Sequence, residues 1–390
     1  MNILFVDQTA KLSGGELALL DIVTPYKDGS KVILFEDGPL CVELVKRQVK
    51  VEIIIPNGAL NNIRRGSRIP MASITSLVRL ARSVAQEAKN FDFIFANSQK
   101  AGLVSVLAGQ LASKPVVWYL HDILNSEHFG KAQLLAARYT AKKSTQILVN
   151  SKSTKEALQV LTGRNDNTHL IYNAFNTKPF VETPNSQENQ REALGFDSRP
   201  LVGVFGRLSP WKGQDVFLRT LAMMPAVQGL IVGSPMFGED AYAQHLEQEI
   251  KTLGLENRVK LLGFRSDIPE LMKTCDIIAH TSIAPEPFGR VIVEGMLSGR
   301  PVVASKSGGP NEIIENGVTG MLYTPGDSQA LQSVLSEIIN EPEQALLMAQ
   351  RGRVTALNRF SLDNMHKRLD DIITVCFNRK RLSNPPSKIF

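Results

Sequence analysis

Short apolar runs alternate with longer amphipathic stretches along most of the chain. In the first half the runs are Asn2–Val6, Lys31–Phe35, Val51–Ile55, Phe93–Ala96, Val116–Leu120, Gln146–Val149 and His169–Ile171. Most are too continuously apolar to have one solvated face, so they predict strands covered on both sides. Helical periods fall between them, clearest at Ser73–Lys89, Gly102–Leu111, Lys131–Lys142 and Lys152–Leu161. Strands of this kind separated by helices predict a parallel sheet with helices on both faces. Asn57–Arg68 breaks the alternation; it has Gly58, Gly66 and three arginines, and reads as a loop.

A polar stretch from Thr177 to Ser198, with Pro179 and Pro184, marks a change of composition. A second alternating unit follows, with strands expected at Leu201–Phe205, Gly229–Val232, Val259–Leu262, Ile277–His280, Pro301–Ala304 and Gly320–Tyr323. The expected fold class is therefore α/β, two Rossmann-like domains facing across a cleft. The first spans 1–180, a linker 181–199, and the second 200–360. A helix at 361–378 follows, and a polar tail, 379–390, is expected to be disordered. Ligand sites on such sheets lie beyond the C-terminal ends of the strands.

Composition narrows the class. Apolar residues make up 43% and charged residues 21%, ordinary for a globular protein. There is no run long and apolar enough to span a membrane, and the first residues read as a strand, not a secretion signal. Three scattered cysteines provide neither a disulfide framework nor a metal site and suit a reducing cytoplasm. Charge is uneven: residues 1–180 hold 22 Lys+Arg against 14 Asp+Glu, leaving 22 and 24 for the remainder. A basic first half predicts an anionic partner. No nucleic-acid-binding module is recognisable, so an anionic membrane surface or a lipid-diphosphate acceptor is the expectation, with Arg64, Arg65 and Arg68 as candidate contacts.

Two segments carry candidate chemistry. In the run Pro285 to Met296, Glu286 and Glu294 flank what reads as a helix start with Pro287 in its first turn. The N–H groups of Phe288, Gly289 and Arg290 would then form an anion site between two hydroxyl-accepting carboxylates. Hydroxyls, phosphates, hydroxyls is what a sugar nucleotide presents. In the run Gly203 to Gly213, Arg207 and Lys212 follow a strand, and two cations there can neutralise a diphosphate. Gly233 to Gly238 has phosphate-loop glycine spacing, but Glu239 follows where lysine is required, which disfavours a kinase or ATPase. No dinucleotide fingerprint follows the first strand, and no Asp-x-Asp occurs to hold a divalent metal on a diphosphate.

Taken in order, these segments resemble the retaining glycosyltransferases of family 4, on the GT-B fold. The resemblance also runs through Ser13-Gly14-Gly15-Glu16, Trp118 to Asp122, Val149-Asn150-Ser151, Ile171-Tyr172-Asn173 and Ser307 to Ile314. Ala174 stands where that pattern usually has glycine. The resemblance implies a metal-independent retaining transferase with no cofactor and a nucleotide-diphosphate sugar as donor. It also implies a saccharide or lipid-linked acceptor held by the first domain, a role in cell-surface polysaccharide synthesis, and a final helix returning to the first domain.

The implied catalytic residues are His121, Arg207, Lys212 and Glu286. Donor binding would add Gly14, Gly15, Gly263, Phe264, Arg265, Phe288, Gly289, Arg290 and Glu294. Within that set Glu294 would take the ribose, and the backbone at Gly263 to Arg265 would read the base. His280 is expected to be wall. A nucleotide-sugar 2-epimerase on the same fold and a non-catalytic nucleotide-binding relative are the alternatives.

Overall fold

The computed structural model describes residues 1–56, 71–163, 166–182, 187–236 and 238–383. The expected loop at Asn57–Arg68, and with it Arg64, Arg65 and Arg68, lies outside the described residues.

The chain forms two compact units, Met1–Ala174 with the segment from Leu362, and Phe175–Ser361. The first contains seven strands: β1 (Ile3–Asp7), β2 (Lys31–Leu34), β3 (Lys50–Ile53), β4 (Phe93–Ala96), β5 (Val116–Leu120), β6 (Gln146–Val149) and β7 (Thr168–Leu170). They pair in the order β3-β2-β1-β4-β5-β6-β7, every neighbour parallel. β1, β4, β5 and β6 are buried throughout, which is why they read as unbroken apolar runs. One face of the sheet packs Leu4, Val6, Ile94, Trp118 and Leu120 against helices. The other packs Ile3, Phe5, Phe95 and Tyr119, and is joined by Met365, Leu369 and Ile373 of the last helix.

The second unit has β8 (Leu201–Phe205), β9 (Gln228–Val232), β10 (Val259–Leu261), β11 (Ile277–His280), β12 (Val302–Ser305) and β13 (Met321–Tyr323). Their order is β10-β9-β8-β11-β12-β13, again parallel. In each sheet the winding reverses beside the first strand, between β1 and β4 and between β8 and β11. Loops leaving those two strands part to opposite faces and open a crevice at their C-terminal ends.

Two boundaries differ from expectation. The stretch read as a linker contains helices at Lys178–Glu182 and Gln187–Ala193. Arg191 in the second of these is tied to a distant segment: it pairs with Asp276 at 2.6 Å and donates from Nε to the Thr274 carbonyl at 2.9 Å. The last helix runs Leu362–Ser383, so residues 379–383, expected to be disordered, are helical; Arg, Lys and Leu are good helix formers. The remainder of the expected tail lies outside the described residues.

Candidate functional site

The loop leaving β8 is fixed by close backbone contacts. Gly233, at φ 154°, brings the end of β9 so near that a Cβ there would stand 1.9 Å from the Gly206 carbonyl oxygen. The loop then makes a single 3-10 turn, Pro210–Lys212, closed by Gly213 at φ 66°. A Cβ on Gly213 would fall 2.1 Å from the Thr281 oxygen, so only glycine lets this turn lie against the segment leaving β11. Two hydrogen bonds complete the docking: Ile283 N–H to the Trp211 carbonyl at 2.8 Å and Thr281 Oγ1 to the Lys212 carbonyl at 2.8 Å.

The docking places Lys212 Nζ 2.5 Å from Glu286 Oε2. The same oxygen accepts from Ser282 Oγ at 3.0 Å and lies 3.2 Å from His280 Nε2. Glu286 is only 8% exposed. Burial by itself would raise its pKa, but the Lys212 ammonium and the His280 hydrogen bond outweigh it and hold the carboxyl well below the usual carboxylate range. His280, expected to be wall, is thus a direct partner of the carboxylate, with Ser305 Oγ 3.4 Å from its Nδ1. The backbone of Glu286 is held by the turn after β12. Gly309 N–H donates to the Glu286 carbonyl at 2.8 Å, and a Cβ on Gly308 would stand 2.3 Å from that same oxygen.

Arg207 lies beside this group. Its Nε is 3.4 Å from Glu239 Oε2, while Ser209 Oγ donates to the other Glu239 oxygen at 2.5 Å. The Trp211 ring stands under both cations, 4.2 Å from Lys212 Nζ and 6.0 Å from the Arg207 guanidinium. Two cations from one loop therefore sit beside two carboxylates from two others at the switch point of the sheet. Glu239 and Trp211 escaped the sequence reading. The first appears there only as a residue that spoils a phosphate loop, the second only as part of a basic loop.

The Glu286–Glu294 segment differs from expectation in one respect. The helix spans Arg290–Leu297 with Gly289, at φ 100°, as its N-cap. Pro287 is therefore in the approach loop rather than in the first turn. The N–H groups of the helix start begin at the glycine, because the bridge between Glu286 and Gly308 keeps the preceding residues extended. Glu294 lies on the helix, 3.6 Å from Arg290 Nε, and the Arg290 guanidinium covers the Phe175 ring at 4.3 Å. The Phe288 side chain is 3% exposed and packs on Phe175 and Phe360, leaving its backbone as the part able to meet a ligand. Gly263, Phe264 and Arg265 are on the separate loop after β10. Gly263 accepts from Gly233 N–H at 2.9 Å, Phe264 is 69% exposed, and Arg265 is paired with Asp267.

In the first unit Gly14 opens the helix Gly14–Val23 and Gly15 adjoins His121, whose ring would be 3.5 Å from a Cβ on that glycine. His121 follows β5, with Nε2 3.0 Å from Asn97 Oδ1. Asn97 donates to Asp7 Oδ2 at 2.7 Å and to the Gly15 carbonyl at 3.0 Å. Asp7 is buried and its pKa is pushed up to about 6 by desolvation. Glu16 is pushed up to about 7, by burial first and by the Asp7 charge second, and accepts a short hydrogen bond from Ser13 Oγ. Sequence reading missed Asp7 and Asn97, although each is a polar residue ending an apolar strand, which is a usable signal. Among the described residues no group of three or more His, Cys, Asp or Glu is placed to hold a metal ion. No described helix is long and apolar enough to cross a membrane.

Comparison with known proteins supplies a family. Residues 186–355 match the model for glycosyl transferases group 1, and residues 39–178 the model for glycosyltransferase family 4. HepE from Anabaena, solved in complex with UDP and glucose, is 40% identical, covers 96% of this chain and 100% of its own, and superposes with a TM-score of 0.89. It has also been solved with UDP-glucose. Among curated sequences, a D-inositol 3-phosphate glycosyltransferase of Mycobacterium sp. (strain JLS) is 28% identical over 66% of this chain. That match spans 62% of the relative's own length.

Proposed function

The chain belongs to the glycosyl transferases group 1 family, and on that premise we propose that it is a retaining, metal-independent glycosyltransferase. It moves a hexose from a nucleoside-diphosphate sugar to a saccharide or lipid-linked acceptor in polysaccharide synthesis. The observation that carries this reading is Lys212 joined to Glu286 at the switch point of the second sheet. Charge accumulates on the leaving diphosphate in the transition state, and preorganised cations stabilise it there more than in the ground state. Lys212 and Arg207 supply that charge without a metal. Glu286, kept ionised by its neighbours, accepts from donor sugar hydroxyls. Glu294 accepts from the ribose, and the backbone around Gly289 meets the phosphates. His121, with Gly14 and Gly15, is assigned to the first unit's share of the reaction, and that unit takes the acceptor.

A uridine nucleotide is the donor to test first, since a protein 40% identical to this one was solved with UDP-glucose. The basic first unit supports peripheral association with an anionic membrane from the cytoplasm. Its helices Lys131–Lys143 and Lys152–Thr162 carry Lys142, Lys143, Lys152 and Lys155, and the first also exposes Leu135.

The test is a panel of UDP-, GDP- and ADP-sugars with a mixed saccharide acceptor fraction, run with and without EDTA. Acceptor-dependent release of nucleoside diphosphate that survives EDTA, giving product of the donor's own anomeric configuration, is the expected result. Release without any acceptor and with epimerised sugar would replace the transferase by an epimerase. Rescue by manganese after EDTA would overturn metal independence.

A further inference from the structure

His121 is held on three sides. Its face lies 4.1 Å, centroid to centroid, from the Tyr119 ring, and the Tyr119 hydroxyl is itself tied to the Ile171 carbonyl at 2.9 Å and to Asn173 Oδ1 at 3.0 Å. Its edge faces Gly15, where even a Cβ would already be in van der Waals contact with the ring at 3.5 Å. Its Nε2 meets Asn97. The third contact decides the chemistry of the ring. The Gly15 carbonyl can only accept, so the Asn97 atom facing it is the amide nitrogen. The same nitrogen faces Asp7. The amide oxygen is therefore the atom turned to His121, and an oxygen acceptor requires a proton on Nε2.

We propose that Asn97 is a positioning residue that fixes His121 as its Nε2-protonated form, and that Asp7 and the Gly15 carbonyl together fix Asn97. Asp7 ends β1 and Asn97 follows β4, the two strands at the reversal of winding, and His121 follows β5, the neighbour of β4. The relay thus sits where the first sheet opens its crevice, as Lys212 and Glu286 do in the second. With Nε2 committed to Asn97, the lone pair of the neutral ring is assigned to Nδ1, and the ring cannot exchange tautomers by turning. A side chain held this way meets a substrate in one orientation, without the cost of selecting it from several. The charged and titratable groups around the relay are Glu16 on the first helix, Glu36 through Thr9, Lys100 on the helix after β4, and Asp122 beside the histidine, which accepts from Gln99 at 2.9 Å.

The bearing on catalysis rests on the transferase reading; the tautomer does not. The test uses the full chain labelled with ¹⁵N-histidine and a long-range ¹H–¹⁵N correlation spectrum, with the His121 signals assigned by their loss in His121→Gln. The wild type is expected to show a protonated, pyrrole-type Nε2 and a pyridine-type Nδ1 wherever the ring is neutral. Asn97→Ala is expected to give a mixture of tautomers. It should also lower kcat on the order of tenfold or more through lost orientation, with the donor KM changed by no more than about twofold. An Nδ1-protonated or mixed ring in the wild type overturns the proposal, and so does an unaltered spectrum in Asn97→Ala. The wild-type spectrum decides the matter even if that variant does not fold. A wild type with the expected ring but no transfer from any nucleotide sugar leaves the relay standing and removes the transferase.

Discussion

Replacing Lys212 by methionine is expected to reveal how far the candidate site is held together by one charge pair. Methionine keeps the length and the contact with Trp211 but removes the ammonium 2.5 Å from Glu286. At an effective dielectric near 20, the attraction at that distance is on the order of 6 kcal/mol before desolvation is subtracted. Breaking a buried pair costs about 3–5 kcal/mol, because the remaining charge is stranded. The Lys212 side chain is 21% exposed, and solvent screening brings the cost down to about 2–3 kcal/mol. In a unit of this size that corresponds to a fall of roughly 5–10 °C in the melting temperature.

The pH dependence identifies the cause. In the wild type the folded pKa of Glu286 is depressed below its ordinary 4.5. The pair therefore contributes fully above that value and loses about 1.4 kcal/mol per pH unit as the pH falls below it. In Lys212→Met burial regains control of the carboxyl, and that acid-dependent loss disappears. The difference between the two proteins is thus expected to be full at pH 7.5 and to shrink between pH 4.5 and pH 3, read by denaturant melts at each pH. A difference that stays constant down to pH 3 would refute the assignment of Lys212 as the group that keeps Glu286 ionised.

Three further outcomes follow from the same geometry. Gly213→Ala drives a Cβ into the Thr281 carbonyl at a φ of 66°; it should cost about 1–3 kcal/mol in strain and displace Lys212, read as a lower melting temperature together with weaker UDP protection. Glu294→Gln should weaken binding of free nucleoside diphosphate more than Glu286→Gln does, measured by calorimetry without the sugar; the reverse order would exchange their roles. Asp7→Asn should flatten the neutral-pH stability profile. Asp7 and Glu16 have folded pKa values of about 6 and about 7, above their unfolded values, so the native state holds more protons between about pH 4 and 7 and stability falls as pH rises through that window. An Asp7→Asn protein with the same slope as wild type would show that the acid pair is not its source.

Much of this molecule was legible in the residue order. Near-continuous apolar runs announced strands buried on both faces, because a parallel sheet under two helical layers leaves no solvated side. Arg207, Lys212, Glu286 and Glu294 stood out by their spacing, two cations after one strand and two carboxylates flanking an expected helix start, and by the family pattern that this spacing resembles. Local rules misplaced what depends on distant partners. Pro287 fits a first helical turn, yet the bridge from Glu286 to Gly308 holds the chain extended until Gly289. In the polar stretch read as a linker, the helix Gln187–Ala193 is anchored through Arg191 by Thr274 and Asp276, far along the chain. His280, Glu239 and Asn97 carry no motif of their own. His280 became a partner of Glu286 when the segment after β11 turned back over six residues, and the turn after β8 brought Lys212 to the same oxygen. Asn97 acquired its orientation only when Asp7, Gly15 and His121 met at adjacent strand ends. Periodicity and residue type fix which segments are buried and where charge is unusual. Which charges meet is decided by strand order, because a hydrogen bond or an ion pair depends on distances that only the folded sheet sets.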